Sequence, residues 1–208
     1  MEFLIGIRTD NFVLLASDKN VFEQGAICIS NERERIIKLG NKTFMACSGQ
    51  PADVDDFGNW AQANLRLYKT RHGYELSPRS VHYWVRNSIA ENLRTKNFWQ
   101  VNVLVGGFDD VENKAFLGSV DYLGNSIPDQ VDLLLLSYNY LFNGISGRFS
   151  YAILDSCYKK DMNVDEAMAI LHKVLAESKK RVIVNHSKFG VLLIDRNGSH
   201  QLEDIVTA

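Results

Sequence analysis

Residues 12–18 read Phe-Val-Leu-Leu-Ala-Ser-Asp, and the reading of this stretch decides the fold. Val13, Leu14, Leu15 and Ala16 are apolar at consecutive positions. Side chains on a strand point alternately to opposite faces, so such a run describes a strand covered on both faces. Residues 2–8 (EFLIGIR) form a second strand pattern, and Thr9, Asp10 and Asn11 between the two supply turn chemistry. The pair reads as a hairpin. A sheet covered on both faces requires a packing layer on each side, and the rest of the chain has to provide them.

Short strand patterns follow at 26–29, 35–39 and 43–47. Residues 51–71 then place Val54, Phe57, Trp60, Ala61, Leu65 and Tyr68 at helical spacing, with Gly73 and Tyr74 ending the segment. Ser77 is a good N-cap with Pro78 at the first helical position, and Val81, Val85, Ile89 and Leu93 recur every four residues up to a predicted stop near Asn97. Strands return at 100–108 and 114–122, around a polar turn at 109–113. A second helical pair is predicted at 148–159 and after Asn163, which forms a capping box with Glu166. Val164, Ala167, Met168, Leu171, Val174 and Leu175 give that last helix an apolar stripe. The chain closes with a hairpin: KFGVLLID (188–195), the turn Arg196-Asn197-Gly198, and QLEDIV (201–206). The order is strands, two helices, strands, two helices, strands, which is not the alternation of a parallel α/β sheet. It predicts an α+β fold: two stacked antiparallel sheets, each covered by one helical pair, in a single domain spanning residues 1–208.

Composition narrows the function. The chain of 208 residues has 23 Lys+Arg against 25 Asp+Glu, for a net charge of -2, which argues against a nucleic-acid partner. No purely apolar run, Leu133–Leu136 included, approaches the length of a membrane helix, and Glu2, Arg8 and Asp10 interrupt the N-terminal segment too early for a signal peptide. Cys28, Cys47 and Cys157 show no paired spacing and read as thiols of a reducing compartment. No nucleophile elbow, phosphate loop or dinucleotide fingerprint occurs, and no metal or cofactor site is expected. The five histidines read as surface or helix-face residues. Asp53, Asp55 and Asp56 suit the start of a helix, where the macrodipole favours them. Ser48-Gly49 and Gly144–Gly147 each end a strand before a helix. Exposed amides there can bind a carbonyl or an anion, although glycine that simply permits a tight loop is the favoured reading of these residues alone.

Several stretches carry a resemblance. LIGIRTDNFVLLASD, SGQPAD before the first helix, and Gly147 running into SYAILD resemble proteasome β-type subunits. LYKTRHGYELSP (67–78), VNVLVGGFD (101–109) and IDRNG (194–198) resemble the subunit at the fourth position of the β ring. The similarity is collinear over residues 2–206. It implies the αββα sandwich of the N-terminal nucleophile hydrolases, in agreement with the order of elements.

Active members of that family use an N-terminal threonine as nucleophile. An aspartate, a lysine, a Ser-Gly loop and a distal Asp with Ser complete their site. Carried onto this sequence, the aspartate is Asp18 and the loop glycine is Gly49. The threonine position falls on Glu2 behind Met1, and the lysine position on Arg35. Gly144–Gly147 covers the serine loop, and the distal Asp and Ser fall near Val182 and Asn185. The resemblance therefore implies a non-catalytic structural subunit of the 20S core particle, with no catalytic residue, no cofactor and no leader to be cleaved. Its expected partners are neighbouring β subunits in a seven-membered ring, the α ring and the opposite β ring, in cytoplasm and nucleus. Phe98, Trp99 and the stretch 133–142 are candidate contact surface, with ordinary core packing as the even alternative. The competing readings are an active threonine-type peptidase, which needs a threonine at the N-terminus, an α-type ring subunit and a free-standing ligand-binding protein.

Overall fold

A computed structural model of the chain describes residues 2–23, 27–127, 139–184 and 186–207. The decisive hairpin forms as expected: β1 (Leu4–Arg8) pairs antiparallel with β2 (Phe12–Asp18), Gly6 opposite Leu15. Thr9 builds the turn, its Oγ1 accepting the N–H groups of Asn11 at 3.2 Å and Phe12 at 3.1 Å.

The remaining strands are β3 (Val21–Glu23), β4 (Ile27–Ser30), β5 (Ile36–Lys38), β6 (Thr43–Gly49), β7 (Val101–Asp109), β8 (Lys114–Val120), β9 (Ser126–Ile127), β10 (Tyr140–Asn143), β11 (Lys188–Asp195), β12 (Gly198–Gln201) and β13 (Ile205–Val206). Among the described residues, one sheet has the order β10-β1-β2-β11-β12, with β13 on the far end of β11. The other runs β5-β6-β7-β8-β9, and β3 with β4 forms a separate ribbon. Helices α1 (Pro51–His72) and α2 (Pro78–Asn92) link β6 to β7. A 3-10 turn (Ile145–Phe149) leads into α3 (Ser150–Cys157) and α4 (Val164–Arg181) before β11.

The period-two alternation of β2 sorts its side chains between two layers. Val13 and Leu15 meet Phe44, Leu104 and Leu117 of the other sheet. Phe12, Leu14 and Ala16 face Leu154, Leu171 and Val174 under α3 and α4. On the second sheet, Met45, Val103 and Val105 pack against Phe57, Ala61, Val85 and Ile89 of α1 and α2. The layers are thus helix, sheet, sheet, helix, as the consecutive apolar run demanded. The sheets approach closely where side chains are missing: a Cβ on Gly6 would stand 2.6 Å from Leu117 Cδ1.

The element ends differ from expectation where local side chains compete for the backbone. Helix α2 stops at Asn92 and not near Asn97, because Asn92 Oδ1 takes the N–H of Trp99 at 2.8 Å and its carbonyl takes that of Thr95 at 2.8 Å. Strand β8 ends at Val120, where Asp121 Oδ1 accepts the N–H groups of Leu123 and Asn125. The segment 148–159 divides into the 3-10 turn and the short α3. In the final hairpin, Asp195 Oδ1 accepts the N–H groups of Asn197 and Gly198, so the return strand begins at Gly198 and 201–206 is not its body. Instead Ile205 crosses to pair with Phe189 at the opposite end of β11. Of the strand expected at 26–29, Ala26 lies outside the described residues.

Two histidines are not on the surface. His82 is fully buried on α2 and donates from Nε2 to the Ser119 carbonyl at 3.2 Å; burial lowers its pKa. His186 is buried beside β11. Trp99 closes an aromatic cluster, its ring 5.1 Å from Phe57 and 5.0 Å from Trp60, which favours the packing alternative for it. Of the stretch 133–142, residues 133–138 lie outside the described residues.

The stripe on α4 and its reciprocal Asn163–Glu166 cap make separate contributions. Leu171→Ala, at a fully buried position, is expected to cost about 2–5 kcal/mol, and Asn163→Ala about 1 kcal/mol, by urea denaturation of the full-length chain.

Candidate functional site

The hairpin geometry brings distant residues to one end of the two sheets. Glu2 precedes β1, Asp18 ends β2, Arg35 immediately precedes β5 and Gly49 ends β6. Asp18 is fully buried, and its Oδ1 accepts the Phe3 N–H at 2.9 Å. The Arg35 side chain, 3% exposed, donates from Nε to the Asp18 carbonyl at 2.9 Å and stands 3.3 Å from Asp18 Oδ1. Its Nη2 donates to the Asn20 carbonyl at 2.7 Å, and its Nη1 to Glu2 Oε1 at 2.5 Å. The other oxygen of Glu2, Oε2, accepts the Gly49 N–H at 2.5 Å. The structure therefore assembles four of the residues singled out in the sequence, and Asp18 and Arg35 form an ion pair.

Gly49 holds its place because no other residue fits. Its φ is 140°, and a Cβ would lie 2.0 Å from the Gln100 carbonyl oxygen. Gly144 passes equally close to the start of β1: its φ is 96°, and a Cβ would lie 1.9 Å from the Glu2 carbonyl oxygen. The glycine loop thus lies at the site, as the resemblance implied. Val182, near which the resemblance puts the distal Asp, is the C-cap of α4. Met1 and Asn185 lie outside the described residues.

The loop that carries Arg35 is clasped by charges. Lys19 Nζ reaches Glu34 at 2.6 Å and Asp204 at 2.9 Å, and Lys188 reaches Glu32 at 2.9 Å. Burial alone pulls the Lys19 pKa down, but its hydrogen bonds to Glu34 and Asp204 outweigh that and raise it. The aspartates at the start of α1 do more than face the helix dipole. Asp53 accepts the Gln100 N–H at 3.0 Å, Asp56 accepts Trp99 Nε1–H at 3.0 Å, and Asp55 pairs with Arg33 at 2.6 Å. Cys47, buried under the site, has its thiol pKa pushed up to about 12, by burial first and the Glu2 charge second.

Sequence reasoning missed His186, whose Nδ1 stands 3.3 Å from Asp18 Oδ2. The signal lay in the strand pairing: β11 runs antiparallel to β2 with Phe189 opposite Asp18, so the residues just before β11 flank the end of β2. Asn20 was missed too; its side chain ties Ser187 to the site, with Nδ2 3.0 Å from Ser187 Oγ. A cleft of about 210 Å³ opens over this cluster, lined by Glu2, Arg35 and Gly49 together with Asn20, Phe22 and Arg33. Chemically, Glu2, which the resemblance aligns with the nucleophile, offers a clamped carboxylate. Its neighbour is a guanidinium that stays protonated and cannot exchange protons near neutral pH.

Two outcomes follow from this geometry. Asp18→Ala removes one of the two carboxylates around the buried Arg35 guanidinium and orphans the buried Phe3 N–H, and should cost about 3–5 kcal/mol, read by chemical denaturation. Alkylation with iodoacetamide at pH 8, followed by peptide mapping, should modify exposed Cys28 first and leave Cys47 intact in the folded chain, because the thiolate is the reactive form.

The comparisons agree with this picture. A family model described as "Proteasome subunit" matches residues 3–194. The chain is similar to "Proteasome subunit beta type-2" of Caenorhabditis elegans, 47% identical over 206 residues that cover 99% of this chain and 100% of that protein. It is also similar to "Proteasome subunit beta type-4" of Saccharomyces cerevisiae, 33% identical over 204 residues that cover 98% of each. "Proteasome subunit beta type-2-A" of Arabidopsis thaliana is 29% identical over 214 residues, covering 100% of this chain and 99% of that protein. With the αββα layering and the family's site positions converging at one end of the sheets, the chain belongs to the proteasome subunit family, as a β-type member.

Proposed function

We propose that the chain is a non-catalytic structural subunit of the 20S proteasome core particle. It occupies the fourth position of a seven-membered β ring, as one domain over residues 1–208. There it contacts neighbouring β subunits, the α ring and the opposite β ring, in cytoplasm and nucleus. The particle degrades proteins, including ubiquitin-tagged ones, and this chain contributes wall and interfaces.

The observation that carries the reading is the state of the nucleophile position. Glu2 presents a carboxylate with no hydroxyl, held by Arg35 Nη1 at 2.5 Å and the Gly49 N–H at 2.5 Å. The next residue, Phe3, is fully buried and its N–H is bound to Asp18 at 2.9 Å, so the backbone here is strand-like core. Arginine in place of lysine removes the group whose proton an active site would move. The β type-4 relative in yeast, aligned over 98% of its length, supports the ring position. So do the stretches 67–78 and 101–109, which span the end of α1 with its Gly73 cap and the whole of β7.

The test is covalent labelling of the assembled particle with an electrophile that traps N-terminal threonines. Neighbouring subunits should be labelled and this chain should not. Glu2→Thr, with Met1 removed, should still give no adduct, because loss of a positioned proton-transfer group typically costs about 10²- to 10⁴-fold in rate and such groups fail together. An adduct on residue 2 of the unmodified or substituted chain, found by peptide mapping, favours the active-peptidase alternative and overturns the proposal. Native mass of the isolated complex tests the structural half. A monomer near 23.6 kDa would contradict it.

A further inference from the structure

Glu2 does more at this position than lack a hydroxyl. Its carboxylate bridges two donors from separate elements, Arg35 Nη1 ahead of β5 and the Gly49 amide at the end of β6. Neither donor depends on Glu2 for its position. Arg35 is held by the carbonyls of Asp18 and Asn20 and by Asp18 Oδ1. Gly49 is fixed by backbone packing against Gln100. Two anchored donors, one of them a guanidinium only 3% exposed, converge on a single carboxylate that lines a cleft of about 210 Å³. Charge-assisted, two-point recognition of this kind is how proteins bind carboxylates.

We propose that Arg35 and the Gly49 amide form a preorganised carboxylate receptor, and that Glu2 is its resident ligand. The tethered side chain keeps the cleft closed to the carboxylate ends of peptides. This deepens, and rests on, the reading of Glu2 as a residue that blocks the position. A tethered ligand holds its site at high effective concentration, so free carboxylates compete poorly with it. The charge and both oxygens are needed, not the bulk. Both partners donate, so both oxygens must accept. An amide offers one acceptor, and its NH₂ group would face a donor.

The experiment uses the full-length chain as wild type, Glu2→Gln and Glu2→Ala. Each is titrated with sodium acetate, and with acetamide as the uncharged probe of the same shape, at constant ionic strength. Thermal midpoints and carbon-13 acetate line broadening are the readouts. Acetate should raise the midpoint of Glu2→Ala saturably and bind it about tenfold more tightly than acetamide does. Wild type should respond to neither, and Glu2→Gln should melt almost as low as Glu2→Ala. Equal responses to acetate and acetamide, or equal responses of wild type and Glu2→Ala, would overturn the receptor. So would a glutamine variant as stable as wild type, since Glu2 would then only fill space. If Glu2→Ala fails to fold, refolding yield becomes the readout: rescue by acetate alone supports the proposal and rescue by neither probe defeats it. None of these readouts involves threonine-directed labelling, so failure of the receptor and failure of the non-catalytic reading are told apart.

Discussion

Arg35 carries a full charge with 3% of its side chain exposed, and one end of both sheets is arranged around that charge. An uncompensated buried guanidinium is unfavourable by several kcal/mol, so each of its nitrogens needs a partner. They are met by the Asp18 carbonyl, the Asn20 carbonyl and the Glu2 carboxylate. These acceptors flank the start of β1 and the end of β2, whereas Arg35 immediately precedes the strand that opens the second sheet. The guanidinium therefore pins one sheet to the other at the end where Gly49 and the start of α1 also lie. Two carboxylates around one guanidinium leave an excess of negative charge, and the amides of Phe3 and Gly49 are placed to absorb part of it.

Much of this was legible in the sequence because it rests on short-range rules. The consecutive apolar residues 13–16 require cover on both faces, and that single requirement yields the four layers. Ser77 and Asn163 mark helix starts by capping chemistry, and both cap as read: Ser77 accepts the Ser80 N–H, and Asn163 that of Glu166. The convergence of Glu2, Asp18, Arg35 and Gly49 followed from the family resemblance. The residues themselves gave no sign that positions so far apart along the chain would meet.

What stayed hidden depends on partners far along the chain or on competition for single backbone groups. His186 meets Asp18 only through the β2–β11 register, which a single sequence does not display. His82 has the same cause: its burial is set by Gly118 and Phe116 of β8, beneath α2. The misplaced ends of α2, β8 and the last hairpin share a different cause. In each, one Asn or Asp side chain captures backbone N–H groups that the regular element would have used. Such a residue reads as neutral in a periodicity count, yet it decides where the period stops.

The same geometry explains how a scaffold can keep a site's architecture while its chemistry changes. The turn at Gly49, the close passage of Gly144 and the buried aspartate are backbone and packing features, and they serve the fold whatever side chain stands at residue 2. In the proposed reading, a carboxylate stands for a hydroxyl and a guanidinium for an ammonium, which exchanges a pair that moves protons for a pair that holds charge. In that reading the exchange turns the cleft into a joint. The donors that would face a reacting carbonyl instead face Glu2, and the interaction energy of the site goes into fixing the junction between the two sheets.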